Sequence, residues 1–548
     1  MQLTRREFLQ DMAFVAAVVG MPNWMTDLDQ APPLDIMSSA QNIINPWQWS
    51  PASDLGQANP ILTTLNRIAF GPRPGDFERV QAMGVDAYID EQLAPEKIDD
   101  SALEQKLAQL YPTLAMSNAD LQRDYPQPRP ASVEDRVYRA FRALEQGFKP
   151  FNPPGPTEVI ADLQDATVMR ALYSKRQLNE VLVNFWSNHF SIYAPKNDCR
   201  WMTTTDNRDV IRKNAFGKFG DLLLASAQSP AMLEYLDNRL NVKGVANENY
   251  AREIMELHSL GVSGGYTQKD VSELARAFTG WGITAPKRTV GIFMDYTGAG
   301  VFRFDPKQHD DTAKRILGID LPAGGGISDA TKIIDALAHH PSTAQFVSRK
   351  MVRWFVSDNP PAALVDRAAQ TFTKTDGDMR AVLSAILHSD EFKNSFGQKI
   401  KKPFELVVSG LRAVDAQLDD TRAISALLRA MGQGLFLHLT PDGYPDDGTA
   451  WINAGALLQR WNYGLMLGAN RVPRGKIDAQ AALKSVSAKS VGNVVDQYAN
   501  TILHRALPDQ DRQKMIDWLG GKATANFDAA RLPELVALIL ASPHFQYR

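Results

Sequence analysis

Apolar residues recur at helical spacing along most of the chain, and this pattern constrains the fold more than any other feature. From Leu62 onward they fall mostly three or four residues apart, as in LTTLNRIAFGPRPGDFERVQAMGVDAYIDEQL. The alternation typical of β-strands is confined to TVGIFMDYTGAGVFRFDP, where TGAG resembles a hairpin turn. The sequence therefore predicts a mostly α, multi-helix globular protein with one short β-hairpin near residues 287–305.

Composition places the chain among ordinary globular proteins. Its 548 residues are 44% apolar and 22% charged, which is enough to bury a large core. The 59 basic and 62 acidic residues are mixed along the chain, so the net charge of −3 predicts no nucleic-acid partner. Cys199 is the one cysteine, which excludes an intramolecular disulfide and a thiolate metal cluster built within one chain.

The N-terminus predicts export. Thr4, Arg5, Arg6, Phe8 and Leu9 follow the pattern of a twin-arginine signal, and the uncharged stretch behind them is short and mildly apolar. That stretch is too short to span a bilayer, and an amphipathic first helix is the alternative. Because no long apolar run occurs elsewhere, we expect a mature chain without a membrane span, in the periplasm or secreted.

The predicted organisation has two helical lobes with the hairpin near their junction. Residues 1–40 are the signal peptide and a spacer, and residues 55–285 form an N-terminal helical lobe that carries the polar motifs. Residues 286–327 hold the hairpin and the loop around His309, and residues 328–548 form a C-terminal helical lobe.

Two glutamates mark the first candidate site. In NENYAREIMELHSLGVSGGYTQKDVSELARAFTGW, Glu253 and Glu256 are three residues apart, so their side chains project from one helix face. Like charges at that spacing repel unless something compensates them. The candidates are Arg252, which is four residues before Glu256, a metal ion, or a raised pKa on one of the acids. A helical hairpin held by salt bridges is the structural alternative, and Thr267 with Asp270 predicts a capping box at the start of its second helix.

Histidines supply further candidates. His258 lies in the last turn before Gly261, where the helix dipole favours a cation, and this explains it without any ligand role. His189 shares a helix face with apolar residues in QLNEVLVNFWSNHFSIY, which is typical of a core histidine but also compatible with a ligand or base. His309 and Asp310 follow the predicted hairpin on a loop, FDPKQHDD.

We expect these side chains to converge on one pocket, and a divalent metal is one explanation for them. His189, Glu253, His258, His309 and Asp310 would form a ligand set of carboxylates and imidazoles that suits Zn, Mn or Fe. An all-oxygen set of Glu253, Glu256 and Asp310 would suit Ca or Mg. Without a metal, an acid/base pair is the alternative.

Six segments of the chain carry a resemblance to one family. They are NENYAREIMELHSLGVSGGYTQKDVSELARAFTGW, FWSNHFSIY, FRFDPKQHDDTAKRILG, HPSTAQFVSRKMVRWFVSD, KKPFELVVSGLRA and PDGYPDDGTAWINAGALLQRWNYGL. Together they resemble the bacterial family of unknown function numbered 1800, from about Leu62 to the C-terminus. The resemblance implies an exported, mostly helical bacterial protein, often encoded beside a second uncharacterised exported family numbered 1501. It assigns no catalytic residues.

The residues leave two classes of function open. In the first, the protein is an exported enzyme, metal- or acid/base-dependent and hydrolase-like, that acts on an envelope or extracellular polymer through Glu253, Glu256 and His258. In the second, it is a non-catalytic binding or assembly factor for another exported protein, and a member of the family numbered 1501 is the candidate partner.

Overall fold

A computed structural model describes residue 55 and residues 59–127, 154–289, 294–471, 475–476 and 489–548. The predicted signal peptide and residues 290–293 of the predicted hairpin lie outside these ranges. Within them the chain is mostly helical with a few short strand pairs, which confirms the predicted fold class.

The helices are short, and many begin at a proline or an oxygen-bearing cap, as the first turn of a helix favours. In chain order they are α1 Pro60–Arg67, α2 Asp76–Met83, α3 Val85–Gln92, α4 Ser101–Leu110, α5 Asn118–Asp124, α6 Pro156–Tyr173, α7 Gln177–His189, α8 Cys199–Thr205, α9 Phe219–Ala227, α10 Pro230–Tyr235, α11 Asn249–Glu253, α12 Gln268–Ala277, α13 Ser328–Ala338, α14 Pro341–Phe355, α15 Ala362–Lys374, α16 Met379–Leu387, α17 Asp390–Lys393, α18 Pro403–Ala413, α19 Arg422–Ala430, α20 Ala454–Gly468, α21 Val491–Leu503, α22 Asp509–Leu519, α23 Leu532–Ala541 and α24 Pro543–Gln546.

Two of these helices continue directly into π-helical turns. α8 runs into a π-helix at Asp206–Arg212, and α11 runs into one at Ile254–Ser259. Short 3₁₀ turns lie at Pro95–Lys97, Pro112–Ala115, Asn238–Leu240, Gly448–Trp451 and Ala529–Arg531. π-helical turns are rare and often accompany functional positions, so the second one, which holds Glu256 and His258, is of interest.

The strands form four small antiparallel pairs. β1 Trp281–Ile283 pairs with β4 Phe302–Phe304, β2 Lys287–Arg288 with β3 Met294–Asp295, β5 Lys314–Ile316 with β6 Ile319–Leu321, and β7 Gln417–Leu418 with β8 Gly475–Lys476. The TGAG segment lies between β3 and β4, which pair with other strands. The TGAG segment is therefore not the predicted hairpin turn. β4 pairs instead with β1, which lies just upstream of the alternating segment.

The described chain divides into two compact units. The central unit comprises residues 86–392 and 436–446, and the terminal unit comprises the described residues up to Val85, residues 393–435 and those from Asp447 onward. Residue 328, the predicted start of the C-terminal helical lobe, lies inside the central unit.

The terminal unit packs helix on helix around a buried ion pair. α20 and α23 approach closely, and a Cβ at Gly468 would lie only 2.1 Å from the Pro533 carbonyl oxygen. Arg548 donates from Nη2 to Glu405 Oε1 over 2.6 Å, and both side chains are buried. A charge-assisted contact of this kind satisfies two groups that would otherwise be costly to bury.

The central unit contains the predicted polar motifs. Its core is apolar and aromatic, and α7 contributes Leu178, Leu182 and Phe185 to it together with His189, as the helical spacing predicts. The capping box predicted at Thr267 and Asp270 is present at the start of α12. Among the described residues, none of the helices is both long and apolar enough to cross a bilayer.

Candidate functional site

The paired glutamates lie where α11 changes to a π-helix. Glu253 ends the α-helical part and Glu256 lies in the π-helical turn. The wider turn is held by the Ser259 hydroxyl, which donates to the Ile254 carbonyl oxygen over 2.6 Å, five residues earlier. Leu260 N donates to the Met255 carbonyl oxygen over 2.9 Å in the same register.

Glu253 and Glu256 differ in their surroundings, although both are half-buried. Glu256 Oε2 accepts a hydrogen bond from the Tyr266 hydroxyl over 3.2 Å. Within the described residues, Glu253 makes no hydrogen bond or ion pair. Burial raises its pKa first, and the charge of Glu256 raises it further. The charge of Arg252 acts in the opposite direction, and Asp442 adds a smaller increase. Of the three compensations considered from the sequence, a raised pKa on one acid is therefore the one that the structure supports.

Arg252 does not compensate Glu256, and that candidate from the sequence is wrong. Its guanidinium donates from Nη2 to Glu248 Oε2 over 3.2 Å and to Gln268 Oε1 over 2.8 Å. Glu248 also accepts from Ser272 Oγ over 2.5 Å. Since Glu248 lies one turn before Arg252, the helix offers this arginine an equally near partner. Gln268 and Ser272 of α12 add polar contacts to the same pair.

A loop from a distant part of the chain completes the acidic cluster. Residues 436–446 belong to the central unit, and the side chain of Asn188 at the end of α7 holds them. Asn188 Nδ2 donates to the Tyr444 carbonyl oxygen over 2.9 Å, and its Oδ1 accepts from Tyr444 N over 2.8 Å. Gly443 has a φ of 75°, and a Cβ there would lie 2.2 Å from the Asn188 carbonyl oxygen. Only glycine fits this approach.

Asp442, on this loop, was not among the sequence candidates. Its Oδ1 accepts from Thr440 Oγ1 over 2.5 Å and lies 3.3 Å from His438 Nε2. Its charge acts on Glu253, and Tyr235 beside them donates its hydroxyl to the Leu439 carbonyl oxygen over 2.8 Å. The available signal was the segment PDGYPDDG, whose glycines and acids indicate a turn with a constrained shape.

His189 and His258 do come together, in an aromatic environment. Their ring centroids are 6.0 Å apart, and His189 Nε2 lies 3.1 Å from the His258 carbonyl oxygen. Because a carbonyl oxygen only accepts, His189 carries its proton on Nε2. Phe190 packs against both rings. His189 Nδ1 and both ring nitrogens of His258 have no hydrogen-bond partner among the described residues.

The expectation that the helix dipole makes His258 a cation is wrong. Its side chain is 0% exposed, and burial lowers its pKa to about 3, helped by the charge of Lys350. The pKa of His189 is lowered well below its ordinary value for the same reasons, with burial the largest. Desolvation of an imidazolium inside an aromatic core outweighs the dipole of one helical turn. Both rings are neutral at neutral pH.

His309 and Asp310 have other partners. His309 Nδ1 lies 2.8 Å from the Thr279 carbonyl oxygen, and His309 Nε2 lies 3.3 Å from Asp329 Oδ2. Lys314 Nζ donates to the same Asp329 oxygen over 2.7 Å. Asp310 Oδ2 accepts from Arg276 Nε over 2.9 Å, and this contact lowers the pKa of Asp310. These bonds fix the segment after β4 onto α12 and give both residues a structural role.

The side chains predicted as metal ligands do not form a ligand set. Among the described residues, no group of three or more His, Cys, Asp and Glu side chains is arranged to hold a metal ion. What the structure brings together is a carboxylate cluster of half-buried Glu253 and Glu256 with exposed Asp442, and a buried pair of neutral histidines. His258 lies on the π-helical turn, and His189 ends α7.

Fold and site define a mostly helical protein with two half-buried glutamates where an α-helix changes to a π-helical turn. The chain belongs to the family described as protein of unknown function DUF1800, whose model matches residues 63–547. No curated protein and no solved structure matches it.

The buried histidines predict a loss of stability in acid. An unfolded histidine takes up a proton below a pKa of about 6.5, whereas folded His258 stays neutral until about pH 3. Its contribution is therefore complete above about pH 6.5 and is lost as the pH falls toward 3. We expect the wild-type free energy of unfolding to fall by about 1.4 kcal/mol per pH unit from this residue alone between pH 6 and 4.

Urea titrations at several pH values measure this slope. In His258→Leu the slope of the free energy of unfolding against pH should be smaller by the equivalent of about one proton over that interval. The control His339→Leu changes an exposed histidine. It should not reduce the slope, because contacts with Asp376 and Asp335 raise the pKa of His339. An unchanged slope in His258→Leu would show that His258 is not buried in the neutral form.

Proposed function

We propose that the protein is an exported acid/base enzyme, hydrolase-like, that acts on an envelope or extracellular polymer, with Glu253 as the proton donor. One observation carries the proposal: Glu253 is half-buried, faces two further carboxylates and has no bonded partner among the described residues. Its ionised form is thus disfavoured, and a carboxylic acid with a raised pKa is suited to protonate a leaving group.

The neighbouring residues suit the complementary roles. Glu256 accepts a hydrogen bond from the Tyr266 hydroxyl, which fixes the orientation of its carboxylate. In the proposed reaction Glu256 takes a proton from the attacking water while Glu253 gives one to the leaving oxygen or nitrogen. Two carboxyl groups in different environments are a common solution for such hydrolysis. His258, buried and neutral, supports the turn and has no direct part.

A metal-dependent version finds less support. The predicted ligands are divided among the carboxylate cluster, the histidine pair and the Arg276 and Asp329 contacts, so the donor set does not fit one ion. We therefore assign no step to a metal.

Glu253→Gln tests the proposal. The amide has the same shape and cannot donate the proton, so turnover should fall roughly 100-fold or more. The thermal midpoint should stay the same or rise slightly, because the change removes repulsion from Glu256 and Asp442. The assay measures new reducing ends and free amines from a panel of envelope and extracellular polymers.

Glu248→Gln is the matched control, one turn and a residue earlier on the same segment. Glu248 pairs with Arg252 and accepts from Ser272, so its loss should lower stability and leave turnover unchanged. Retention of wild-type turnover by Glu253→Gln would remove the assigned role.

We further propose that export uses the twin-arginine route, supported by TRREFL at the N-terminus and the weakly apolar stretch behind it. Replacing Arg5 and Arg6 with lysine should keep the protein in the cytoplasm of its host. Fractionation with immunoblotting reads the location, and Lys97→Arg serves as a charge-preserving control elsewhere. Continued export of the double variant would contradict the route.

A second candidate function is assembly with another exported protein, for which a member of the family numbered 1501 is the proposed partner. The favouring observation is a set of exposed apolar side chains in the central unit, with Val245 73%, Val262 72% and Leu439 69% exposed. Each of these side chains offers a partner apolar surface to bury. Co-purification from the native host should recover a stoichiometric complex that Leu439→Asp weakens. Recovery of the protein alone would count against this function.

A further inference from the structure

A second feature of the central unit is a cavity of about 420 Å³ between α4, α6, α7 and the turn at Pro112–Ala115. Pockets that hold small molecules have roughly this volume. Apolar side chains, among them Leu107, Leu114 and Leu163, form part of its wall. The rim at Ala108 is exposed. The cavity shares none of its lining residues with the carboxylate cluster.

The charged part of the wall consists of four arginines against three carboxylates. Three of the arginines are committed to an acid. Arg170 forms a two-point contact with Glu104, with bonds of 3.1 and 2.9 Å. Arg212 forms one with Glu180, with bonds of 2.9 and 2.5 Å.

Arg208 is the third committed arginine. It binds Asp209 in the same two-point way, over 2.8 and 2.7 Å, and its remaining amino group donates to two backbone carbonyl oxygens. Asp100, the third carboxylate of the wall, is occupied by the Ser174 hydroxyl over 2.6 Å and by Lys175 N over 3.1 Å. None of these groups is available to a ligand without breaking an ion pair or a buried bond.

Arg176 is different. Its Nε donates to the Ile98 carbonyl oxygen over 2.8 Å, which fixes the plane of the guanidinium. Its two Nη groups have no partner among the described residues. A planar fork of donors held from behind suits the two oxygens of a carboxylate or a phosphate.

We infer that this cavity binds a small organic anion with one acidic head and an apolar body. The head pairs with the Nη groups of Arg176, and the body lies against the leucine side chains. Of the four wall arginines, Arg176 is the one without an ion-pair partner among the described residues, which fits a ligand with one acidic head. The site is independent of the proposed reaction at Glu253.

Calorimetry with three probes tests the inference. Octanoate carries head and body, octan-1-ol carries the body alone, and acetate carries the head alone. We expect octanoate to bind the wild-type chain clearly more tightly than either of the other two. Arg176→Gln should weaken octanoate roughly tenfold, the effect of one charge-assisted contact.

Arg200→Gln is the matched control. Arg200 also donates to backbone carbonyl oxygens, of Asn197 and Pro195, but it does not line the cavity, so octanoate binding should be unchanged. Ala108→Phe fills the exposed rim without touching a charged group and should also weaken octanoate. This variant keeps the test decisive if Arg176→Gln does not fold.

Three results would overturn the inference. One is the absence of octanoate binding, and another is octan-1-ol binding as tightly as octanoate, which would make the cavity merely apolar. The third is wild-type octanoate affinity in Arg176→Gln or, where that variant does not fold, in Ala108→Phe.

Discussion

The side-chain amide of Asn188 holds together the parts of the central unit on which the candidate site depends. Through its two bonds to Tyr444 it fixes a loop that is 256 positions further along the chain. The next residue, His189, turns inward and donates to the carbonyl oxygen of His258. One turn at the end of α7 thus positions Asp442 on one side and the π-helical segment on the other. Gly443 is required because the two backbones approach too closely for any side chain.

The π-helical segment contains buried polar atoms whose free-energy cost is not explained by packing. A buried polar atom without a hydrogen bond costs about 1–3 kcal/mol, and His258 contributes two such ring nitrogens among the described residues. An apolar side chain of similar size would avoid this cost. Unfavourable local features of this kind concentrate at functional positions, where the surrounding fold sustains them. Their presence next to Glu253 and Glu256 supports a functional interpretation of the whole segment.

The sequence predicts what depends on local pattern. Helical spacing correctly identifies the fold class and the buried face of α7, and the spacing of Thr267 and Asp270 identifies a capping box. The errors concern choices between partners that only the tertiary structure makes. Arg252 has two glutamates within reach and takes Glu248. β4 pairs with β1 rather than across TGAG. Asp442 reaches Glu253 through a loop whose position no local pattern reveals, and the neutral state of His258 follows from aromatic rings supplied by other segments.

Salt bridges account for four of the eight charged residues in the segment from Asn247 to Trp281, and the remaining ones are informative. Arg252 neutralises Glu248, and Arg276 neutralises Glu273 and Asp310. These contacts use both arginines of the segment, yet Glu253 remains without a bonded partner beside two other carboxylates. An arrangement that served only stability would replace such an acid with an amide or an apolar residue, because ionised Glu253 is disfavoured by burial and by like charge. Glu253 therefore lies outside these ion pairs, as its proposed role as a proton donor requires.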